Sequence, residues 1–402
     1  LMGLSPIAGH HFGARKFRAI GEELNQSFWL SLVLMAVGVP LLLNTDFWIE
    51  LGGAKGEVAE MAAEFIRWTA FALPASLLGR CFIALNAAVS RPRITMWVSL
   101  GMLALKAPLN AVFMYGWLGF PAMGGGGAGI SFFVLSWLSL FAFLAIWKFD
   151  KFYRPMHVEQ FVGPRWELLK NHLHVGVPMG LSTFFEVSSF TLMAIFISRL
   201  GEETVSAHQI VANLTSMLYM VPLSLGIASS VLISQSLGAR WPAVAEFILR
   251  RTLKISIVIA AVLATLLYIF KGNVIALYTS DAGVAATAAA LVAFGCTYHV
   301  FDAMQAVSSF ALRGYRVTRA PMFIYGIMLW GVGIGIGYQL AFGAEWAGGP
   351  YGAFGFWGAT AVGLILTGLS LLAMALWVGR QRSRDEHHSP EEVERVIREA
   401  RA

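Results

Sequence analysis

The sequence predicts an all-α, polytopic membrane protein, and three observations carry that prediction. Of the 402 residues, 57% are hydrophobic and only 13% are charged, with a mean hydropathy of +0.67. A soluble domain carries about 25% charged residues, so half of the usual water-facing surface is missing. The apolar residues are gathered into long runs, such as "SFWLSLVLMAVGVPLLL" (27–43), "ISFFVLSWLSLFAFLAIW" (130–147) and "ISIVIAAVLATLLYIF" (255–270). Each approaches or reaches the ~20 residues that cross a bilayer as a helix. The runs do not alternate as barrel strands would. A helix also closes its own backbone hydrogen bonds, which hydrocarbon demands.

Ten complete spans follow in order, near 24–43, 62–88, 94–115, 128–148, 173–199, 205–237, 250–271, 284–312, 320–342 and 352–379. Trp48, Trp117, Trp147 and Trp377 stand near span ends, as interfacial aromatics do. Cys81 and Cys296 fall inside spans and read as free, small hydrophobes, with no disulfide or metal role.

Basic residues collect in alternate loops: Arg15, Lys16 and Arg18; Arg91 and Arg93; Lys148, Lys151 and Arg154; Arg240, Arg250 and Arg251; Arg316 and Arg319; Arg380, Arg382 and Arg384. The intervening loops hold little beyond Lys55 and Lys271. The positive-inside rule therefore places the basic loops and the C-terminus in the cytoplasm. The net charge of +6 reflects this topology. No basic cluster exceeds a loop, so no nucleic-acid partner is expected.

The chain also repeats. "GHHFGARKF" (9–17) resembles "SQSLGARWP" (234–242), which sets Gly13, Ala14 and Arg15 against Gly238, Ala239 and Arg240. "IALNAAVSRP" (83–92) resembles "FALRGYRVTRAP" (310–321), and "GGAGIS" (126–131) resembles "WGATA" (357–361). The three offsets are nearly equal. They predict two homologous halves in the same orientation, related by an axis along the membrane normal. The expected layout is an N-terminal bundle over 1–150, a cytoplasmic linker over 151–172, a C-terminal bundle over 173–379 and a cytoplasmic tail over 380–402. The second half runs through two spans before Gly238, whereas twelve residues precede Gly13. A first helix and most of a second, roughly 50 residues, are therefore expected to precede Leu1, for twelve spans in two six-helix bundles.

Three stretches carry a family resemblance: "GVPMGLSTFFEVSSF" (176–190), "AHQIVANLTSMLYMVPLSLGIASSVLISQSLGA" (207–239) and "FALRGYRVTRAPM" (310–322). They resemble the multidrug and toxic compound extrusion (MATE) family, in its NorM-like bacterial branch, and the resemblance runs to about residue 380. It implies two pseudo-symmetric six-helix bundles in a bacterial inner membrane. It also implies a monomeric secondary antiporter that exports cationic, often aromatic compounds in exchange for Na+ or H+. By the same resemblance, Glu186, Asp302 and Tyr298 match the cation site of the second bundle and are candidate Na+ ligands. In the first bundle Asn110 matches a family asparagine, while Lys106 stands where a second asparagine is usual. That departure puts a first-bundle cation site in doubt.

The residues support part of this on their own. Glu186 and Asp302 are the two acids placed deep in long apolar runs. A charge at a helix centre costs roughly 2.5–3.5 kcal/mol on insertion scales, and such residues face a cavity or bundle interior by default. Tyr298 lies four residues before Asp302, on the same helix face. Ser182 and Ser189 flank Glu186 at helical spacing and are expected to add hydroxyl oxygens beside the carboxylate, a setting that suits hard cations. The structural alternative pairs a buried acid with a basic side chain such as Arg313. Lys106 is expected to pair with an acid of the helix that precedes Leu1. His208 and His299 read as satisfied interhelical hydrogen-bond partners.

Other readings find less support. "MGGGGAG" (123–129) lacks the Lys-Ser/Thr of a phosphate loop and reads as a turn with close helix packing. No metal-spaced cluster, ATP-binding motif or intramembrane aspartyl-protease motif is present, so an enzyme and a resident cofactor are not expected, the coupling ion being Na+ or H+. The principal alternative function is flipping of a lipid-linked saccharide, which would want several basic side chains in the cavity. Ser389, Pro390 and Glu392 predict the start of a short tail helix with Val393, Val396 and Ile397 on one stripe.

Overall fold

The computed structural model describes residues 1–384 except 54, 158, 159, 344, 345 and 347, together with residue 392. Thirteen α-helices are present among the described residues: α1 Leu4–Gly13, α2 Phe17–Leu43, α3 Thr45–Gly52, α4 Glu57–Ala88, α5 Pro92–Tyr115, α6 Gly124–Phe149, α7 Trp166–Ile197, α8 Glu202–Gly238, α9 Pro242–Ala276, α10 Ala282–Gly314, α11 Arg319–Tyr325, α12 Gly337–Phe342 and α13 Gly352–Arg384. Ten helical segments are long and apolar enough to cross a membrane, and they are the ten expected. Several begin earlier than hydropathy indicates; α2 starts at Phe17 and not near 24, and α9 at Pro242 and not near 250. The extra turns carry charged residues, Arg18, Glu22 and Glu23 in α2 and Glu246 in α9. Hydropathy senses only the part of a helix that meets hydrocarbon, whereas backbone bonding carries the helix on into water. The expected tail helix from Ser389 lies outside the described residues.

The span from Arg319 to Phe342 departs from regular α-geometry: Gly326–Ile336 is wound as a π-helix between α11 and α12. A neighbouring helix approaches the backbone of that segment closely. Helix α13 does so at Gly363, where a Cβ atom would lie 2.7 Å from the Met328 carbonyl oxygen.

The chain divides into two compact units, Leu1–His174 and Val175–Ala402, with the boundary inside α7. In the first unit α4 is central, packing on α1, α2 and α6. In the second unit α10 holds the corresponding place against α8, α9 and α13. The sequence repeat recurs as local geometry. Non-glycine residues with left-handed backbone follow α1 (Arg15, φ 56°), α4 (Ser90, φ 58°), α8 (Arg240, φ 63°) and α10 (Arg316, φ 61°). At each, the next residue's N–H returns to a carbonyl five positions back: Lys16 to His11, Arg91 to Asn86, Trp241 to Ser236 and Val317 to Leu312, all at 2.8–2.9 Å. These closures satisfy the last carbonyls of the helix and reverse the chain within three residues. Pro92 and Pro242 then open the next helix at a position where the missing N–H is harmless.

The polar start of α2 has a structural use. Asn25 donates to the Gln160 carbonyl (3.2 Å), Gln26 to that of Gly163 (3.1 Å) and Trp29 to that of Val162 (3.1 Å), while the Arg165 N–H donates to Gln26 (2.9 Å). Glu23, buried within α2, meets His172 at 2.7 Å and His11 at 3.5 Å. This clasp fastens the segment before α7, and α7 itself at His172, to α1 and α2. The glycine run that begins α6 is a packing device, as expected: a Cβ atom on Gly127 would collide with the Phe113 carbonyl.

Candidate functional site in the second unit

The site is built on three elements of the second unit. Helix α7 carries Glu186, α8 carries Tyr219, and α10 carries Tyr298, Asp302 and Gln305. Glu186 is half-buried, and its Oε1 accepts hydrogen bonds from the Tyr219 hydroxyl (2.9 Å) and the Gln305 amide (3.3 Å). The Gln305 amide also reaches the Tyr325 hydroxyl on α11. Gln305 follows Asp302 by three residues, so both face the same way from α10. Asp302 is 8% exposed and makes no hydrogen bond or ion pair among the described residues. The Oε1 oxygen of Gln305 is buried without a partner among them. A carboxylate, a phenol and an amide thus meet at Glu186, with the Gln305 amide oxygen left unpartnered among the described residues; these are oxygen types that hard cations accept.

An aromatic cluster packs on the face of α7 that carries Phe184 and Ser188, two residues either side of Glu186. Trp330, in the π-helical segment, donates to the Ser188 hydroxyl at 3.1 Å and packs against Phe184 and Phe185, with ring centroids 6.0 and 5.6 Å away. Rare π-turns concentrate at functional sites because they re-aim side chains. Tyr298 is 2% exposed and stacks on Trp357, with centroids 6.0 Å apart. It lies one turn from Asp302 but makes no hydrogen bond to Glu186 among the described residues. Helix geometry accounts for Tyr298 beside Asp302; the rotation of α7 decides that Tyr219 and Gln305, and not Tyr298, reach the carboxylate.

Two expectations need correction, and the structural alternative at Arg313 finds no support. Ser182 and Ser189 do not line the carboxylate: their hydroxyls donate to the Pro178 and Glu186 backbone carbonyls, both at 2.8 Å. Hydroxyls inside a helix find those carbonyls within reach of their own rotamers. Arg313 does not pair with an acid. Its guanidinium lies over the Phe310 ring at 4.2 Å, and no carboxylate among the described residues comes within ion-pair distance. Nor is His299 a satisfied partner, because both its ring nitrogens are buried without a hydrogen bond among the described residues. His208 meets Trp357 edge-on at 5.7 Å, and its Nδ1 is likewise unpartnered. Cys81 and Cys296 are free, as expected.

In the first unit, Lys106 lies on an exposed face of α5 without an ion pair among the described residues, and Asn110 one turn later is half-buried. Gln305 was legible as an amide within an apolar run, but spacing alone did not connect it to Glu186. Tyr219 sits 33 residues beyond Glu186 on another helix, a separation that no periodicity relates.

A family model described as MatE matches residues 1–112 and 178–339. The chain belongs to the MatE family. Among similar MatE proteins, one described as a probable multidrug resistance protein NorM from Aromatoleum aromaticum is 40% identical over 367 residues, covering 91% of this chain and 79% of the relative. Another of the same description, from Neisseria meningitidis serogroup B, is 33% identical over 380 residues, covering 92% and 80%. A crystal structure of MATE in the straight conformation overlays with a TM-score of 0.84 at 18% identity, covering 95% of this chain and 84% of that one. The eukaryotic MATE transporter AtDTX14 overlays at 0.82 with 20% identity, covering 96% and 85%. The MATE fold is therefore that of this chain, and its relatives include bacterial proteins described as NorM.

Proposed function

We propose that this protein is a secondary antiporter of a bacterial inner membrane, with its C-terminus in the cytoplasm, and that it exports cationic aromatic compounds in exchange for Na+ or H+. The observation that carries this reading is the pair of mid-span carboxylates, Glu186 and Asp302, with no basic side chain at ion-pair distance among the described residues. An anionic pair in a low-dielectric setting is costly and is stabilised by any cation that neutralises it. An organic cation and a coupling ion can each do so, and they then compete for one site. Entry of the coupling ion displaces the substrate, so the ion's gradient drives export. Tyr219, hydrogen-bonded to Glu186, offers an aromatic face to a planar cation at the carboxylate. The names of the relatives, multidrug resistance protein NorM, support the same reading.

The test is efflux of a fluorescent organic cation from vesicles, with Na+ and H+ gradients imposed separately. Glu186→Gln and Asp302→Asn should each lower ion-driven transport by about tenfold or more, within the range of site-to-site couplings. Full ion-coupled efflux in both variants would sink the assignment.

A further inference from the structure

At the end of the second unit that carries Arg316, Arg319, Arg380 and Arg382, a groove of about 750 Å³ opens between the start of α11 and the last turns of α13. Its base is apolar, formed by Ala320, Ala373 and Met374, with Trp377 as one wall. Gln381 and Arg382 form the lip. Both are exposed, and Arg382 has no ion pair or hydrogen bond among the described residues. Helices α11 and α13 contain no acidic residue. The nearby Glu246 is already engaged by Arg250, at 2.6 and 2.8 Å. Among the described residues, the positive charge of the lip is therefore unanswered by the unit's side chains.

The groove continues along the span. Leu366, Leu369, Ala373 and Trp377 recur at helical spacing on an exposed stripe of α13, and Phe323 and Ile327 are exposed on the neighbouring segment. A soluble anion could answer Arg382 but not the stripe. A neutral lipid could cover the stripe but not Arg382. We propose that the groove binds an acidic phospholipid, with its phosphate on Arg382 and Gln381 and an acyl chain along the stripe below Trp377. Basic lips between membrane helices select anionic headgroups in this way, and an interfacial indole fixes the depth of the lipid.

The test uses the purified full chain in detergent, with lipid binding followed by native mass spectrometry. The probes are phosphatidylglycerol, phosphatidylethanolamine and inorganic phosphate. Arg382→Gln should weaken phosphatidylglycerol binding about fivefold, the value of one basic side chain near a lipid surface, and leave phosphatidylethanolamine unchanged. Ala373→Phe fills the groove and should abolish the preference for the acidic lipid. Lys16→Gln, on a basic loop of the other unit, should keep it. The same preference in all three variants would overturn the proposal and leave only diffuse surface electrostatics. Full displacement of the lipid by inorganic phosphate would overturn it in favour of a soluble anion. Gln381→Ala gives a second reading of the lip should Arg382→Gln fail to fold.

Discussion

Removal of the carboxylate at Glu23 should loosen the first unit. The Glu23 and His172 side chains are 4% and 1% exposed and meet at 2.7 Å, with His11 on the other oxygen at 3.5 Å. Truncation to alanine strands a buried imidazole, and breaking one side of such a pair costs about 3–5 kcal/mol. Glu23→Gln keeps a neutral hydrogen bond and should cost about 1–2 kcal/mol. The unit holds 174 residues, and domains of that size shift by about 2–4 °C per kcal/mol. The alanine variant should therefore lose about 6–20 °C and the glutamine variant about 2–8 °C. Cys81 is fully buried in the core of the same unit. On a Cys296→Ala background, a thiol-reactive dye in a thermal ramp thus reports the opening of this unit. Adding His172→Ala to Glu23→Ala should cost less than the sum, because the stranded group is gone. An alanine variant within 2 °C of the parent, or strictly additive losses, would refute the buried clasp.

Two further outcomes follow from contacts outside this clasp. Asp150 accepts from the Phe152 N–H at 2.9 Å and pairs with Arg91 at 2.5 Å, and these contacts hold its carboxyl below the usual value. A depressed carboxyl contributes its full stability above the unfolded value of about 3.9 and loses it as pH falls through the folded value below that. Asp150→Asn should therefore lower the melting temperature at pH 7, and the gap to the parent should close as the pH is taken below about 4. Gly363→Val would drive a side chain into the Met328 carbonyl, 2.7 Å from the position of Cβ. Backbone cannot yield there as a flexible side chain would, so a loss of about 1–3 kcal/mol is expected, read from tryptophan fluorescence of Trp330 and Trp357 during thermal unfolding.

The fold was legible to the extent that hydropathy is one-dimensional. Ten apolar runs located ten spans, although the polar first turns of α2 escaped notice, and with them Glu23 and its two histidines. The paired "GAR" motifs marked helix ends that share one left-handed closure, at Arg15 and Arg240. The π-helical turn was not legible: "GIMLWGVGIGI" reads as ordinary apolar helix, and the wider winding is seen only where α13 packs closely on it at Gly363. Glu186 and Asp302 stood out because a charge within hydrocarbon is too costly to be incidental.

The sequence alone determined the solvent of this protein, its spans, its internal repeat and the two carboxylates on which its proposed chemistry rests. The tertiary structure decided whom those carboxylates meet: Tyr219 and Gln305 for Glu186, and no hydrogen-bond partner among the described residues for Asp302. The physical reason is the lipid. In water, a polar stripe shows which face of a helix turns outward. In a bilayer both the outside and the packed interior are apolar, so the rotation of each helix, and with it every contact across the site, is settled only when the helices pack.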